Sequence, residues 1–484
     1  MANWFNLHNK NLKVLLLFFS LAFILRFFSF FPSVIDHDES TYLEISRMML
    51  SGKDLYVDMI DIKPPGIFLI IAGIQAMFGF SVFVIRLVAA LWIVATSFMI
   101  NKTVRLMVSD EKAAYAAGII YIFFISTWTF YGISITPEIY FNLFTISSLY
   151  LLLRKQSRFH YFLAGLLSGF GFIIKYLVLF DFMAFMLFFL IIDFIKNNKL
   201  HYTKILMNYS VAGLGLVVPF AATNLYFYLN GNFEAFSGIV YLAPGRYQTP
   251  FEPWKMLKFI LEFHLFFLPI FAMFYYVIFH NKRSGNLVAQ VRLLCAIWSI
   301  LALLSVVITG MTFGHYTIQL MLPVSIVAGI FFMPGIFPVI LDKPNRTKAG
   351  RILLAACLIA ITLSKLEYVV RKDLPKEIAN YLKPRLEEND VIYCGNYQHI
   401  IYYLLKKDSP TKYIHRSLLL NHKHIRALDI DVAEEFRKIM VQKPVYILVE
   451  KEYPDGMMKD YIRSNYTLEK EFDKKVRLYR IRGK

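Results

Sequence analysis

Val14-Leu-Leu-Leu-Phe-Phe-Ser-Leu-Ala-Phe-Ile-Leu-Arg-Phe-Phe-Ser-Phe-Phe31 is followed, four residues later, by Asp36-His37-Asp38-Glu39. An apolar run of this length spans a bilayer core of about 30 Å as a helix. It follows Lys10 and Lys13 and lacks a small-residue cleavage site, so it reads as an anchor rather than a removable leader. Similar runs recur at 82–104, 113–131, 138–153, 160–174, 177–195, 205–229, 257–279, 292–310, 318–341 and 351–370, which makes about eleven expected spans. With 57% apolar and only 18% charged residues, the 484-residue chain is not an ordinary soluble enzyme or a disordered protein. Three cysteines (Cys295, Cys357 and Cys394) form neither a disulfide framework nor a zinc cluster.

Lysine and arginine in the short loops set the orientation. With the N-terminus in the cytoplasm, the segments on that side carry Lys10 and Lys13; Lys102, Arg105 and Lys112; Arg154, Lys155 and Arg158; Lys196, Lys199 and Lys204; Lys282, Arg283 and Arg292; and Lys343, Arg346, Lys348 and Arg351. The opposite side has two joins without basic residues, 132–137 and 311–314, and two longer loops, 32–81 and 230–256. Much of the net charge of +18 is therefore topological, and no nucleic-acid partner is expected. An odd number of spans places residues 371–484 outside. This tail holds 24 Lys/Arg against 17 Asp/Glu. Its short β-like runs, 391–395, 412–415, 445–450 and 476–481, alternate with helix-like stretches at 376–387 and 432–441. The expected architecture is mainly α: residues 1–370 form a polytopic membrane domain with a large first outer loop, and 371–484 form a small extracytoplasmic α/β domain. The expected location is the inner (plasma) membrane.

A loop as long as 32–81 is usually functional. Its apolar positions 42, 43, 45, 49 and 50 fit one face of a helix, which is expected to lie along the membrane surface. Asp38 and Glu39 stand at its N-terminus, where the helix dipole favours carboxylates. Asp58, Asp61 and Lys63-Pro64-Pro65-Gly66 follow, and the apolar stretch 67–79 reads as interfacial or re-entrant. Thr136-Pro137-Glu138 suits a helix start, so Glu138 is either an N-terminal helix charge or a second functional acid. Lys175 lies between two spans and Arg86 just inside one; such cations snorkel or pair. Arg246 lies on an outer loop, and Gly314-His315-Tyr316 opens a span from that face. Carboxylates and cations at the mouth of a membrane bundle suit a substrate with an anionic head and a lipid tail.

These motifs carry a resemblance. Asp38-Glu39-x-x-Tyr42 with Ile45-Ser46-Arg47-Met48-Met49-Leu50 resembles the first outer loop of GT-C membrane glycosyltransferases. The bacterial dolichyl-phosphate-mannose protein mannosyltransferase-like group, which includes the aminoarabinose lipid A transferase, is the nearest match. Lys63-Pro64-Pro65 looks like that group's KPP element, and Phe83-Val84-Ile85-Arg86-Leu87 resembles its entry to the second span. Thr136-Pro137-Glu138 stands where the group commonly has an acidic pair, and Gly314-His315-Tyr316-x-x-Gln319-Leu320-x-Leu322-Pro323 resembles its GHY-QL-LP element. Two departures stand out: Glu138 replaces the more usual Asp, and Ile62 precedes Lys63 where the lipid A transferases have Glu.

The resemblance implies a GT-C architecture, a polyprenyl-phosphate sugar donor and an inverting transfer on the outer face to a lipid, glycan or protein acceptor. Asp38 would be the base or an acceptor-orienting carboxylate, supported by Glu39 and Glu138. Lys63, then Arg246, would hold the donor phosphate; Tyr42, Arg86, Lys175, His315 and Tyr316 are further candidates. A divalent cation is left open. The alternative class is a transporter or flippase of a lipid-linked or anionic substrate. It predicts inverted repeats and helices broken at mid-membrane, and the sequence shows no such symmetry.

Overall fold

The computed structural model describes residues 2–246, 251–279, 286–334, 336, 372–450 and 456–483. Two compact units emerge: Met1–Phe30 with Arg86–Thr223 and Pro250–Glu367, and Phe31–Ile85 with Asn224–Thr249 and Tyr368–Lys484.

The first unit is helical. Among the described residues, five helices are long and apolar enough to cross a membrane: Lys10–Phe30, Val82–Val108, Val178–Asn197, Tyr202–Leu229 and Asn286–Thr309. Other expected spans fall on shorter helices: Glu111–Ile125, Pro137–Arg154, Arg158–Ile174 and Met321–Ile330. The expected span 351–370 lies outside the described residues. One expectation is corrected. Residues 257–279 do not form a straight span, because Pro253–Phe266 and Leu268–Phe279 meet at 93°. Pro269 has no N–H to give back to the preceding turn, so the backbone hydrogen-bond ladder is interrupted there.

Small residues bring the helices together, as they do where lipid supplies no hydrophobic drive. A Cβ on Gly165 would stand 1.9 Å from the Ala212 carbonyl oxygen, and one on Gly215 would stand 2.2 Å from that of Phe162. These two helices therefore touch backbone to backbone. Buried Arg26 donates to the carbonyls of Ile125 (2.6 Å), Gly132 (2.9 Å) and Ile133 (2.7 Å). It satisfies acceptors left over where Glu111–Ile125 ends, as helix C-termini require. Arg86 donates to the Ser29 carbonyl at 2.7 Å.

In the second unit, the helix His37–Leu50 (α1) is capped by Asp36, whose side chain accepts from the Asp38 N–H at 3.3 Å. The helix is buried by protein from Glu39 through Met48. Gly66–Phe78 (α2) covers one side: the Ser46 hydroxyl donates to the Phe68 carbonyl (3.0 Å), and the Gln75 amide donates to that of Leu43 (3.0 Å). Ile400–Leu405 (α3) packs on another side. The polar residues bury because they find partners. Arg47 binds Glu44 through two hydrogen bonds (2.7 and 2.9 Å) and also binds Asp408 at 2.7 Å.

The tail forms a four-stranded sheet of β1 (Ile392–Cys394), β2 (Tyr446–Glu450), β3 (Tyr466–Phe472) and β4 (Val476–Ile481), in the order β1-β2-β4-β3. β1 and β2 run parallel, and the other pairings are antiparallel. The expected strand at 412–415 is a loop; its Lys412 carbonyl accepts from the Ile60 N–H at 2.9 Å. β3 escapes the sequence pattern because it is an edge strand whose middle residues are mostly polar and partly or fully exposed.

Candidate active site

Asp38 sits in the first turn of α1, where the helix dipole stabilises a carboxylate. Its Oδ2 lies 3.2 Å from Lys63 Nζ and accepts from the Tyr42 hydroxyl at 3.4 Å. The i, i+4 spacing of residues 38 and 42 sets that contact. Lys63 comes from the loop before α2. Asp61 holds this loop by accepting from the Lys63 backbone N–H at 3.0 Å, and the Tyr56 hydroxyl holds it by donating to the Lys63 carbonyl at 2.7 Å. The ammonium also lies 3.4 Å from Asp61 Oδ1 and 5.1 Å from the centre of the Tyr42 ring. The Asp38 and Lys63 side chains are 32% and 21% exposed, so both remain reachable.

Burial and the neighbouring Asp38 charge push Asp36 up to about 7. Glu39, one residue beyond Asp38, is buried and adds to that effect. Three histidines that the sequence reading passed over also gather here. His415 Nε2 lies 3.9 Å from Asp38 Oδ1. The His415 ring centre is 5.2 Å from that of His399, which is 6.3 Å from that of His37. Burial pulls all three down from their ordinary range, His415 to about 4, so they are neutral at pH 7. His37 adjoins Asp38 in sequence and was the one available signal; the other two lie in the tail.

Arg246 is not among these contacts. It lines a separate cavity of about 500 Å³ with Tyr56, Ile60, Glu234, Lys412 and Tyr413, and neither Asp38 nor Lys63 borders that cavity.

The remaining candidates belong to the helical unit. Glu138 occupies the first turn of Pro137–Arg154 and is fully buried. It pairs with Lys175, which ends Arg158–Ile174. Lys175 Nζ lies 3.6 Å from the centre of the Tyr316 ring, a cation–π contact, and His315 packs edge-on to Tyr316 at 4.7 Å. Arg86, through its bond to Ser29, serves the bundle. Among the described residues, no three His, Cys, Asp or Glu side chains stand close enough to hold a metal ion. The divalent cation left open by the sequence therefore has no ligand set there.

Comparison with known proteins places these features. Residues 62–222 match the family model of dolichyl-phosphate-mannose-protein mannosyltransferases. Over 96% of its length the chain matches the crystal structure of ArnT from Cupriavidus metallidurans in the apo state, covering 97% of that chain with a TM-score of 0.65 at 15% identity. The chain has the fold of ArnT. The same ArnT bound to undecaprenyl phosphate gives a TM-score of 0.62 at 14% identity, over 99% of this chain and 98% of that one. The archaeal oligosaccharyltransferase AglB from Archaeoglobus fulgidus, in complex with an inhibitory peptide and a dolichol-phosphate, gives 0.53 at 11% identity, over 91% of this chain and 69% of that one. No curated protein matches this chain by sequence. The family match begins at Ile62, immediately before Lys63-Pro64-Pro65, and takes in Glu138 and Lys175.

Proposed function

We propose that this chain is an integral-membrane glycosyltransferase. It moves a sugar from a polyprenyl-phosphate donor to a lipid, glycan or protein acceptor on the extracytoplasmic face, with inversion. The observation that carries the reading is the part-exposed Asp38–Lys63 pair, a carboxylate and an ammonium 3.2 Å apart. The polyprenyl phosphates named in the ArnT and AglB structures support the choice of donor.

The two groups divide the chemistry between them. A polyprenyl phosphate leaves readily and needs no general acid. Asp38 takes the acceptor's proton, while Lys63 steadies the charge growing on the departing phosphate. Donor phosphate draws Lys63 away from Asp38 and leaves that carboxylate able to accept a proton. Arg246 is the second phosphate candidate, and Glu39 supports the site through its charge. The basic loops put the N-terminus in the cytoplasm. Residues 1–370 then supply the membrane domain and 371–484 an outer domain.

The test is mass spectrometry of surface glycans and lipid-linked sugars in wild-type, deletion and Asp38→Asn strains. The expected result is that the deletion and the point variant both lose one sugar from an acceptor and accumulate the corresponding polyprenyl-phosphate sugar. Unchanged glycans in the Asp38→Asn strain, with the protein present at normal level, sink the assignment.

A further inference from the structure

The sequence motifs account for one side of Asp38. Lys63 and Tyr42 both meet Oδ2. Oδ1 faces His415, a residue 377 positions further along the chain that no motif included.

The tautomer of His415 follows from its local bonds. The Ser417 backbone N–H donates to His415 Nδ1 at 3.2 Å, and the Ser417 hydroxyl lies 2.6 Å from the same nitrogen. Nδ1 is therefore the acceptor, and the proton of the neutral ring sits on Nε2, pointing at Asp38. Burial, which pulls His415 down to about 4, keeps the ring neutral at pH 7. The ring is also held in place. It packs against Tyr397 with centres 5.7 Å apart, and Tyr397 packs on His37 at 4.9 Å. The Arg416 guanidinium lies 5.4 Å from the Tyr397 ring centre and 3.3 Å from Glu450.

The separation of 3.9 Å between Nε2 and Oδ1 is too long for a direct hydrogen bond. It suits one small polar atom resting against both groups. We propose that this gap seats the acceptor's nucleophilic hydroxyl, with His415 Nε2–H donating to the nucleophile and Asp38 Oδ1 receiving its proton. The inference rests on Asp38 being the base. One lone pair of the nucleophile is held by His415 and another is directed at the anomeric carbon. The new bond to that carbon forms as its bond to the phosphate oxygen breaks; the electron pair leaves on the polyprenyl phosphate and the proton ends on Asp38. His415 thus recognises the acceptor and takes no part in holding the donor.

The test mixes purified full-length protein with membranes from a deletion strain, which hold the native donor and acceptor, and reads transferred sugar by mass spectrometry. In parallel, binding of undecaprenyl phosphate and the thermal midpoint are measured in detergent. His415→Ala is expected to lower transfer about 10- to 100-fold, the loss of one hydrogen bond at the reacting atom, with undecaprenyl-phosphate binding and midpoint unchanged. His415→Gln, which can place an amide N–H near the Nε2 position, is expected to recover transfer to within about fivefold. Wild-type transfer by His415→Ala overturns the proposal. So do equal losses in both variants, or a loss accompanied by a lowered midpoint or weaker undecaprenyl-phosphate binding, because these assign His415 to structure or to the donor. A wild-type chain that moves no sugar strikes the transferase reading itself, and the proposal falls with it.

Discussion

Two carboxylate–ammonium pairs, one in each compact unit, look alike in sequence and differ in kind. Asp38 and Lys63 are 32% and 21% exposed, and each has further polar neighbours. Glu138 is 0% exposed, and its partner Lys175, at 15%, lies against the Tyr316 ring. An exposed pair is weak in water and can be remade by a ligand. A buried pair is held by the cost of leaving either charge alone. The first is therefore built to exchange partners and the second to stay shut, although both stand at helix ends.

The comparison breaks most directly at Asp38. Asp38→Asn keeps the shape of the side chain and removes the base, so transfer is expected to fall about 1,000-fold, within the usual range for general-base loss. Protein yield and thermal midpoint stay near wild type. Lys175→Met should do the reverse. Stranding Glu138 costs about 3–5 kcal/mol, seen as a lower midpoint in detergent, and Lys175→Met with Glu138→Gln recovers much of it. If Lys175→Met is as stable as wild type, the Glu138 pair is exchangeable too and the contrast collapses.

The same contrast marks what the sequence could and could not reveal. Apolar runs report on the bilayer, a uniform solvent, so the mainly helical, membrane-spanning character of the chain was legible in the sequence. The contacts of Asp38, Tyr42 and Lys63 were legible because the first two share one helix face and the third lies in the same loop. His415 was not, since it meets Asp38 through the folding of a distant segment. Arg246, the second phosphate candidate, lines a cavity that Lys63 does not border, because an outer loop fixes a residue's side of the membrane and not its neighbours. The burial of α1 was hidden for a related reason. Its Glu44 and Arg47 look like a wet face until Asp408 arrives from the tail to share the arginine. The break at Phe267 was signalled by Pro269, yet hydropathy averaged over the run concealed it.

Smaller effects sharpen the comparison. Lys63→Met should raise the KM for the polyprenyl-phosphate donor about 10- to 100-fold, as loss of a charged hydrogen bond implies. The turnover limit and the acceptor KM should change less. Titration of the cluster then separates its members. Asp36, raised to about 7 by burial and by Asp38, holds a proton in the folded chain where the unfolded chain has lost it. Its contribution therefore stabilises at low pH and fades as pH rises from about 4 to about 7. His415, lowered to about 4, works in the opposite direction: the unfolded chain binds the extra proton, so its contribution grows from about pH 4 to about 6.5. Thermal midpoints taken across this range should show Asp36→Asn removing the first slope and His415→Gln the second. Identical pH profiles for both variants would mean that the cluster is wetter than its burial implies.

The smallest expected effect concerns Arg47, which binds a carboxylate of each kind at once. Glu44 is 0% exposed and burial pushes it up to about 7, whereas Asp408 is 47% exposed. Asp408→Asn gives up a solvated ion pair and should cost no more than about 1 kcal/mol. It leaves the two Arg47–Glu44 bonds intact. Glu44→Gln keeps a neutral acceptor in the buried position and so escapes the cost that Glu44 meets as pH rises from about 4.5 to about 7, where the unfolded chain has given up a proton that the folded chain still holds. Measured as midpoints at pH 5 and pH 8, the Glu44→Gln penalty should shrink with pH while that of Asp408→Asn stays flat. A pH-independent penalty at both positions would show that exposure does not separate the two carboxylates, even where they share one guanidinium.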